Sequence, residues 1–117
     1  MHELSVVQEI IRIVHDHTCM HRDSRVERID LVVGELTGYR QEMLQEYFDI
    51  LAQDTDLEGA RIQVRYVRPV LTCRACGLEF EREGLSFSCP ACGATAVLTG
   101  AGKELYINAV ELGEKTS

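Results

Sequence analysis

The segment 73–93, with the sequence CRACGLEFEREGLSFSCPACG, decides the fold of this chain. Its cysteines form two CxxC pairs separated by twelve residues, namely Cys73, Cys76, Cys89 and Cys92. Paired CxxC motifs at this spacing are typical of a structural zinc ribbon, in which four thiolates surround the ion at about 2.3 Å. A glycine follows each pair, because the sharp turn there needs a residue that accepts positive φ. We therefore predict a zinc ribbon over residues 69–102.

The expected cellular compartment favours a metal-binding role for the cysteines over disulfide bonds. No stretch resembles a signal peptide, and no apolar run approaches the roughly 20 residues of a membrane helix. We therefore expect a cytoplasmic protein that does not contact membranes. In that reducing compartment an odd number of cysteines, five here, is a poor basis for a disulfide framework. A thiol–disulfide switch is the alternative, although a single redox CxxC would not need a second pair.

The charge of the chain argues against nucleic acid as a partner. The formal net charge is −7, and the twelve basic residues are scattered. The ribbon contains two arginines and three glutamates, and four thiolates around one Zn²⁺ would add further net negative charge. Contact with phosphate backbones depends on concentrated lysine and arginine, which this chain lacks.

The candidate catalytic residues are few, so we expect no enzymatic activity. A four-cysteine zinc site has no open coordination position for a substrate. No GxSxG or similar nucleophile signature occurs. Every histidine lies before residue 22, at His2, His15, His17 and His21. Glu35 and Glu42 flank a predicted turn, where glutamates are usually solvated or capping.

Apolar periodicity outside the ribbon predicts two helices and three strands. Helical stripes cover residues 4–20 and 40–52. Their members are Leu4, Val7, Ile11 and Val14, widened by Val6, Ile10 and Ile13, and then Leu44, Tyr47, Phe48 and Leu51. Strands are predicted at 26–36, 60–67 and 104–112, and in the second Ile62, Val64 and Tyr66 alternate with polar residues. The pattern indicates an α+β layer with both helices packed on a small sheet.

The histidines offer two candidate metal sites. His17 and His21 share a helix face at i, i+4, with Cys19 nearby on another face, but they also fit a polar helix end. His2 can present its imidazole, its own amide and the terminal amine to one ion. Such planar nitrogen coordination favours Ni²⁺ or Cu²⁺ over Zn²⁺.

Four features together carry a family resemblance. They are the opening MHELS, the segment VVGELTG at 32–38, the two CxxC pairs, and ELYINAVEL at 104–112. In this order they resemble the HypA/HybF family of nickel-insertion factors for NiFe hydrogenase, and the resemblance covers essentially the whole chain.

The resemblance implies that His2, with the adjoining Glu3, forms the nickel site and that the four cysteines hold structural zinc. It implies a metallochaperone without enzymatic activity, which carries Ni(II) as cargo to the apo large subunit of NiFe hydrogenase. A HypB-type GTPase is the implied partner, and urease maturation proteins are further candidates. Some relatives carry histidines near the zinc knuckles, whereas this chain has none after His21, which puts any such contribution to the nickel site in doubt.

The family fold has two helices on a three-stranded mixed sheet, with the zinc ribbon inserted before the last strand. It implies a discontinuous nickel-binding domain, 1–68 plus 103–113, a zinc ribbon, 69–102, and a frayed tail, 114–117. We expect a monomer, with a domain-swapped dimer as the alternative. The competing hypothesis for function is a zinc-ribbon adaptor between proteins, in which His2 has no nickel role.

Overall fold

A computed structural model describes residues 3–20 and 24–114 as two compact units. The first unit comprises the described residues of segments 1–32, 39–65 and 106–117, and the second comprises 33–38 and 66–105. The helices are α1 (Glu3–Thr18) and α2 (Gln41–Leu51), with a short 3-10 helix at Glu35–Thr37. The strands are β1 (Ser24–Gly34), β2 (Arg61–Val67), β3 (Val70–Thr72), β4 (Glu79–Glu81), β5 (Val97–Leu98) and β6 (Leu105–Glu114).

Both helices of the first unit were predicted, and they pack against each other through one apolar stripe each. In α1 the buried residues are Val7, Ile10 and Val14, and in α2 they are Leu44 and Phe48. The prediction of Leu4 as a core residue was wrong, because it lies in the first turn of α1 with 44% of its surface exposed.

The sheet of the first unit has the strand order β2-β1-β6, which confirms the predicted three-stranded mixed sheet. The central strand β1 supplies most of its buried residues, whereas β2 alternates, with Ile62 and Val64 buried between exposed polar neighbours. Alternation of this kind gives β2 one face toward the core and one toward water. The predicted burial of Tyr66 was wrong, since 43% of it is exposed.

Helix α2 closes the β2 edge of this sheet with two glutamine side chains. The backbone N–H of Ile62 donates to Oε1 of Gln45 at 2.7 Å, and that of Val64 donates to Oε1 of Gln41 at 2.9 Å. These amides therefore have acceptors without a further strand. The glutamines also fix the helix along the strand, because each bond spans the two elements.

The second unit contains a small antiparallel sheet of order β4-β3-β5. Leu71 on β3 is paired with Phe80 on one side and Leu98 on the other. The buried cluster has four members, Leu71, Cys73, Cys89 and Ala96. Of the four large apolar residues between the two CxxC pairs, Phe80 packs against this cluster, whereas Leu78, Leu85 and Phe87 are exposed. Half of this core is therefore cysteine.

Segment 33–38 belongs to the second unit, and its backbone is hydrogen-bonded to residues at the end of the ribbon and just after it. Gly34 N–H donates to the Glu104 carbonyl at 2.7 Å, and Leu36 N–H donates to the Gly102 carbonyl at 2.8 Å. The approach is so close that a Cβ on Gly34 would lie 2.0 Å from the carbonyl carbon and oxygen of Gly102. Only glycine can occupy this position without moving backbone.

We expect Gly34→Ala to destabilise the protein by about 3 kcal/mol or more, because its contact is with backbone that cannot rotate away. The φ of −72° at Gly34 suits alanine, so the cost is steric. Gly59→Ala is the matched control, with open space around the added Cβ and only a positive φ of +84° to strain it, at about 1 kcal/mol. Urea unfolding measures both, and equal losses would contradict the close approach.

Candidate metal centre

Two backbone turns of the same design hold the four cysteines. In the first, Cys73 N–H donates to the Leu78 carbonyl at 2.9 Å, and Gly77 N–H donates to the Cys73 carbonyl at 2.7 Å. The second turn has the same two bonds, from Cys89 N–H to the Ala94 carbonyl and from Gly93 N–H to the Cys89 carbonyl, both at 2.8 Å. The glycines have φ of +80° and +78°. Each CxxC pair is thus a knuckle that aims both thiols to one side.

The four sulfur atoms lie at the spacing of metal ligands. All four Sγ atoms are within 4.8 Å of one another. Two of the distances join the knuckles, with 3.5 Å from Cys73 Sγ to Cys92 Sγ and 3.6 Å from Cys76 Sγ to Cys89 Sγ. A zinc tetrahedron with Zn–S bonds of about 2.3 Å has sulfur atoms about 3.8 Å apart. The cluster therefore fits Zn²⁺ without rearrangement of the backbone.

The thiols have unequal affinities for protons. Hydrogen bonding from the backbone amide of Cys76 lowers the pKa of Cys73 to about 6. The amide of Leu78 lowers the pKa of Cys76, but the neighbouring sulfur atoms of Cys89 and Cys73 outweigh it and raise that pKa to about 12. Four thiolates side by side repel one another, so a divalent cation is needed to deprotonate the whole set.

The chemistry of this centre is structural. All four ligands are sulfur, and one cysteine of each knuckle, Cys73 and Cys89, is buried in the ribbon core. A closed four-thiolate shell leaves no coordination position for a substrate. Among residues 3–20 and 24–114, no other group of three or more His, Cys, Asp or Glu side chains has metal-binding geometry.

The described structure does not bring the other candidate metal ligands together into one site. His2 and His21 lie outside the described residues, and Glu3 is the first residue of α1. His15 Nδ1 lies 3.7 Å from an Asp56 carboxylate oxygen. Two further candidates contact backbone carbonyl groups of α1. His17 Nδ1 lies 2.8 Å from the Ile13 carbonyl oxygen, and Cys19 Sγ lies 3.5 Å from the Asp16 carbonyl oxygen.

Sequence reasoning missed Leu71 as a side chain that supports the knuckles. Leu71 is fully buried in the ribbon core, and Phe80 packs against it from the paired strand. The signal was present as one apolar residue at the centre of each of the short segments VLT and EFE, which flank the first knuckle. The guanidinium of Arg82 also lies over the Phe87 ring, 5.4 Å from its centroid, and covers one exposed aromatic residue.

In the part of the chain that the structure describes, a four-thiolate zinc ribbon beside a helix-and-sheet unit defines a metal-binding protein. Residues 1–112 match the family model described as "Hydrogenase/urease nickel incorporation, metallochaperone, hypA". The chain therefore belongs to the HypA family. It is a metallochaperone and maturation factor for nickel incorporation, not an enzyme.

Individual relatives agree with this assignment. A hydrogenase maturation factor HypA of Caldanaerobacter subterraneus subsp. tengcongensis is 40% identical over 113 residues, which cover 96% of this chain and 99% of that protein. The HypA of Geobacter sp. strain M21 is 37% identical over 112 residues, with coverage of 96% and 99%. The similarity thus extends over nearly the full length of both relatives.

Solved structures share the fold. The solution structure of the nickel metallochaperone HypA from Helicobacter pylori matches with a TM-score of 0.61 at 21% identity, covering 98% of this chain and all of that one. Another solution structure of a HypA protein matches with a TM-score of 0.66, also at 21% identity and with 98% of each chain covered. Within the described residues, no helix is long and apolar enough to span a bilayer.

We expect Cys73→Ser or Cys89→Ala to lose the bound zinc, about one ion per chain, because three thiolates no longer close the tetrahedron. Hydrogen exchange should then rise over residues 69–102, while the helices keep their protection. Cys19→Ser is the matched control, since Cys19 is an exposed cysteine outside the cluster. Elemental analysis with exchange mass spectrometry measures both, and full zinc content in either cluster variant would refute the four-thiolate site.

Proposed function

We propose that this protein binds Ni(II) at its N-terminus, through His2 with the backbone of His2 and Glu3, and delivers it to the apo large subunit of NiFe hydrogenase. The observation that carries the proposal is the closed sulfur centre. Because that centre fits a permanent structural zinc ion, a transported ion needs a separate and exchangeable site. Membership of a nickel-incorporation family identifies the cargo.

The chemistry of residue 2 supports the site. An imidazole on the second residue, the amide before it and the terminal amine can close fused chelate rings around one ion in a plane, which suits Ni²⁺. Met1 and His2 precede α1 in the sequence, since the helix begins at Glu3.

The proposed partners follow from the proposed cargo. The hydrogenase large subunit would accept the nickel ion, and a HypB-type GTPase would assist its insertion. Urease maturation proteins would be the partners in a second route of nickel delivery. The family description names both hydrogenase and urease, and it therefore supports the hydrogenase and urease assignments. We place the activity in the cytoplasm, where four free thiols remain reduced and able to hold zinc.

We also propose a division of labour between the segments, with 1–68 plus 103–113 as the nickel-binding domain and 69–102 as the zinc domain. Its support is that the ribbon has its own core and sheet. Under this division the zinc ion stabilises the ribbon and takes no part in nickel transfer.

His2→Ala should abolish stoichiometric Ni²⁺ binding while zinc content and helix content stay unchanged, because a side chain before the first helix contributes little to packing. An extension fused to Met1 should also weaken binding, since it removes the terminal amine. Isothermal titration calorimetry of the tag-free chain measures the loss.

His17→Ala is the matched control, because it removes an exposed imidazole from the other end of α1. It should retain the nickel affinity of the unmodified chain. Undiminished nickel binding in His2→Ala would remove the proposal, and a loss confined to His17→Ala would move the site to the end of that helix.

A further inference from the structure

An open groove crosses the sheet of the first unit on the face that is turned away from its core. On β2 the groove residues Gln63 and Arg65 are exposed and alternate with buried residues, so they point away from the core. All three strands contribute polar side chains to the lining, which are Arg28, Asp30, Gln63, Arg65 and Asn108. The other lining residues are Leu31, Val32 and Val64, all of them buried.

An arginine already matches the one carboxylate of the groove. Nε of Arg28 donates to Oδ1 of Asp30 at 2.7 Å, and Nη2 of Arg28 donates to Oδ2 of Asp30 at 3.2 Å. Nη1 of Arg28 also lies 2.9 Å from Oε2 of Glu111, which is not a lining residue. Arg28 and Asp30 therefore neutralise each other, and Arg65 is the unmatched cation of the lining.

Three lining side chains have unused hydrogen-bonding groups. Within residues 3–20 and 24–114, the side chains of Gln63, Arg65 and Asn108 have neither an ion pair nor a hydrogen bond to another residue. A side-chain amide offers a donor and an acceptor, as a peptide group does, and a guanidinium offers N–H donors that fit a carboxylate in pairs. The free groups are therefore complementary to a peptide backbone that carries a carboxylate.

We propose that this groove binds an extended acidic segment of a protein partner. The amides of Gln63 and Asn108 pair with the backbone of the segment, and Arg65 binds one of its carboxylates. Strands β2 and β6 lie on the two sides of β1, so they are about 10 Å apart. About three extended residues cover that distance, so a short segment can reach from one amide to the other.

The charge of the groove favours a carboxylate of a protein over the phosphates of a nucleic acid. Nucleic acid binding depends on several clustered cations, and this lining has one unmatched cation in a chain of net charge −7. A bidentate pair between one arginine and one carboxylate needs no second cation. Arg61, on the same strand, does not line the groove and borders a separate hollow with Gln45 and Asp49.

Heteronuclear NMR of the isotope-labelled, zinc-loaded chain tests the proposal with the capped peptide Ac-Thr-Glu-Thr-Glu-Thr-NH2. The peptide should shift the side-chain amide signals of Gln63 and Asn108 and the Nε–H signal of Arg65 until they saturate. The affinity should fall as salt is raised, because ions screen the exposed charge pair. The same peptide with glutamine in place of glutamate should bind about tenfold more weakly, since it cannot form the charged pair.

Arg65→Glu should weaken binding of the acidic peptide about tenfold or more, because it replaces the cation with a repelling carboxylate. Arg61→Glu is the matched control, since it makes the same charge reversal at an exposed position of the same strand, outside the groove. It should keep the affinity of the unmodified chain within about twofold. Nickel takes no part in these titrations, so their outcome is separate from that of the proposed nickel site.

Three results would overturn the proposal. The first is that the acidic peptide leaves the signals of Gln63, Arg65 and Asn108 unmoved at every concentration. The second is an equal loss of affinity in Arg65→Glu and Arg61→Glu, which would show general attraction between charges instead of binding in the groove. The third is that oligothymidylate shifts the groove signals and the acidic peptide does not, which would assign the groove to nucleic acid. Equal binding of the glutamine peptide would remove the role of the carboxylate.

Discussion

The convergence of four sulfur atoms within 4.8 Å is the constraint on which the second unit depends. Two identical backbone turns aim the thiols, and the paired strands beside the first turn are only three residues long. The buried cluster has four members, two of them metal ligands, so little apolar burial supports this unit. At this size a bound metal commonly replaces the missing core, and its binding free energy is then folding free energy.

The first unit rests on a different kind of interaction. Two helical stripes and two strands supply an apolar core that includes Phe48, Leu44 and Ile29, and glutamines of α2 close one sheet edge. This part needs no metal for its packing. The contrast explains why one small chain can hold one ion permanently and carry another. A shell of four sulfur ligands without an open coordination position retains its zinc ion, whereas a nickel cargo needs ligands that release it.

The sequence predicted those features that repeat at short range. CxxC spacing identified the metal ligands, and apolar periodicity gave both helices, the alternation of β2 and the three-stranded sheet. Two-residue and three-residue strands carry no readable period, so β3, β4 and β5 were missed. The approach of Gly34 to Gly102 joins residues far apart in the chain, and nothing local signals it. Leu4 and Tyr66 lie near the ends of their periodic segments, where few other residues pack over the apolar stripe, and both are exposed.

The central claim is that zinc and nickel occupy chemically different sites in this chain. X-ray absorption at the two metal edges, recorded on tag-free protein loaded with both ions, tests it most directly. We predict four sulfur neighbours at about 2.3 Å at the zinc edge, and only nitrogen and oxygen neighbours at the nickel edge. Sulfur in the nickel shell, or fewer than four sulfur atoms around zinc, would contradict the account.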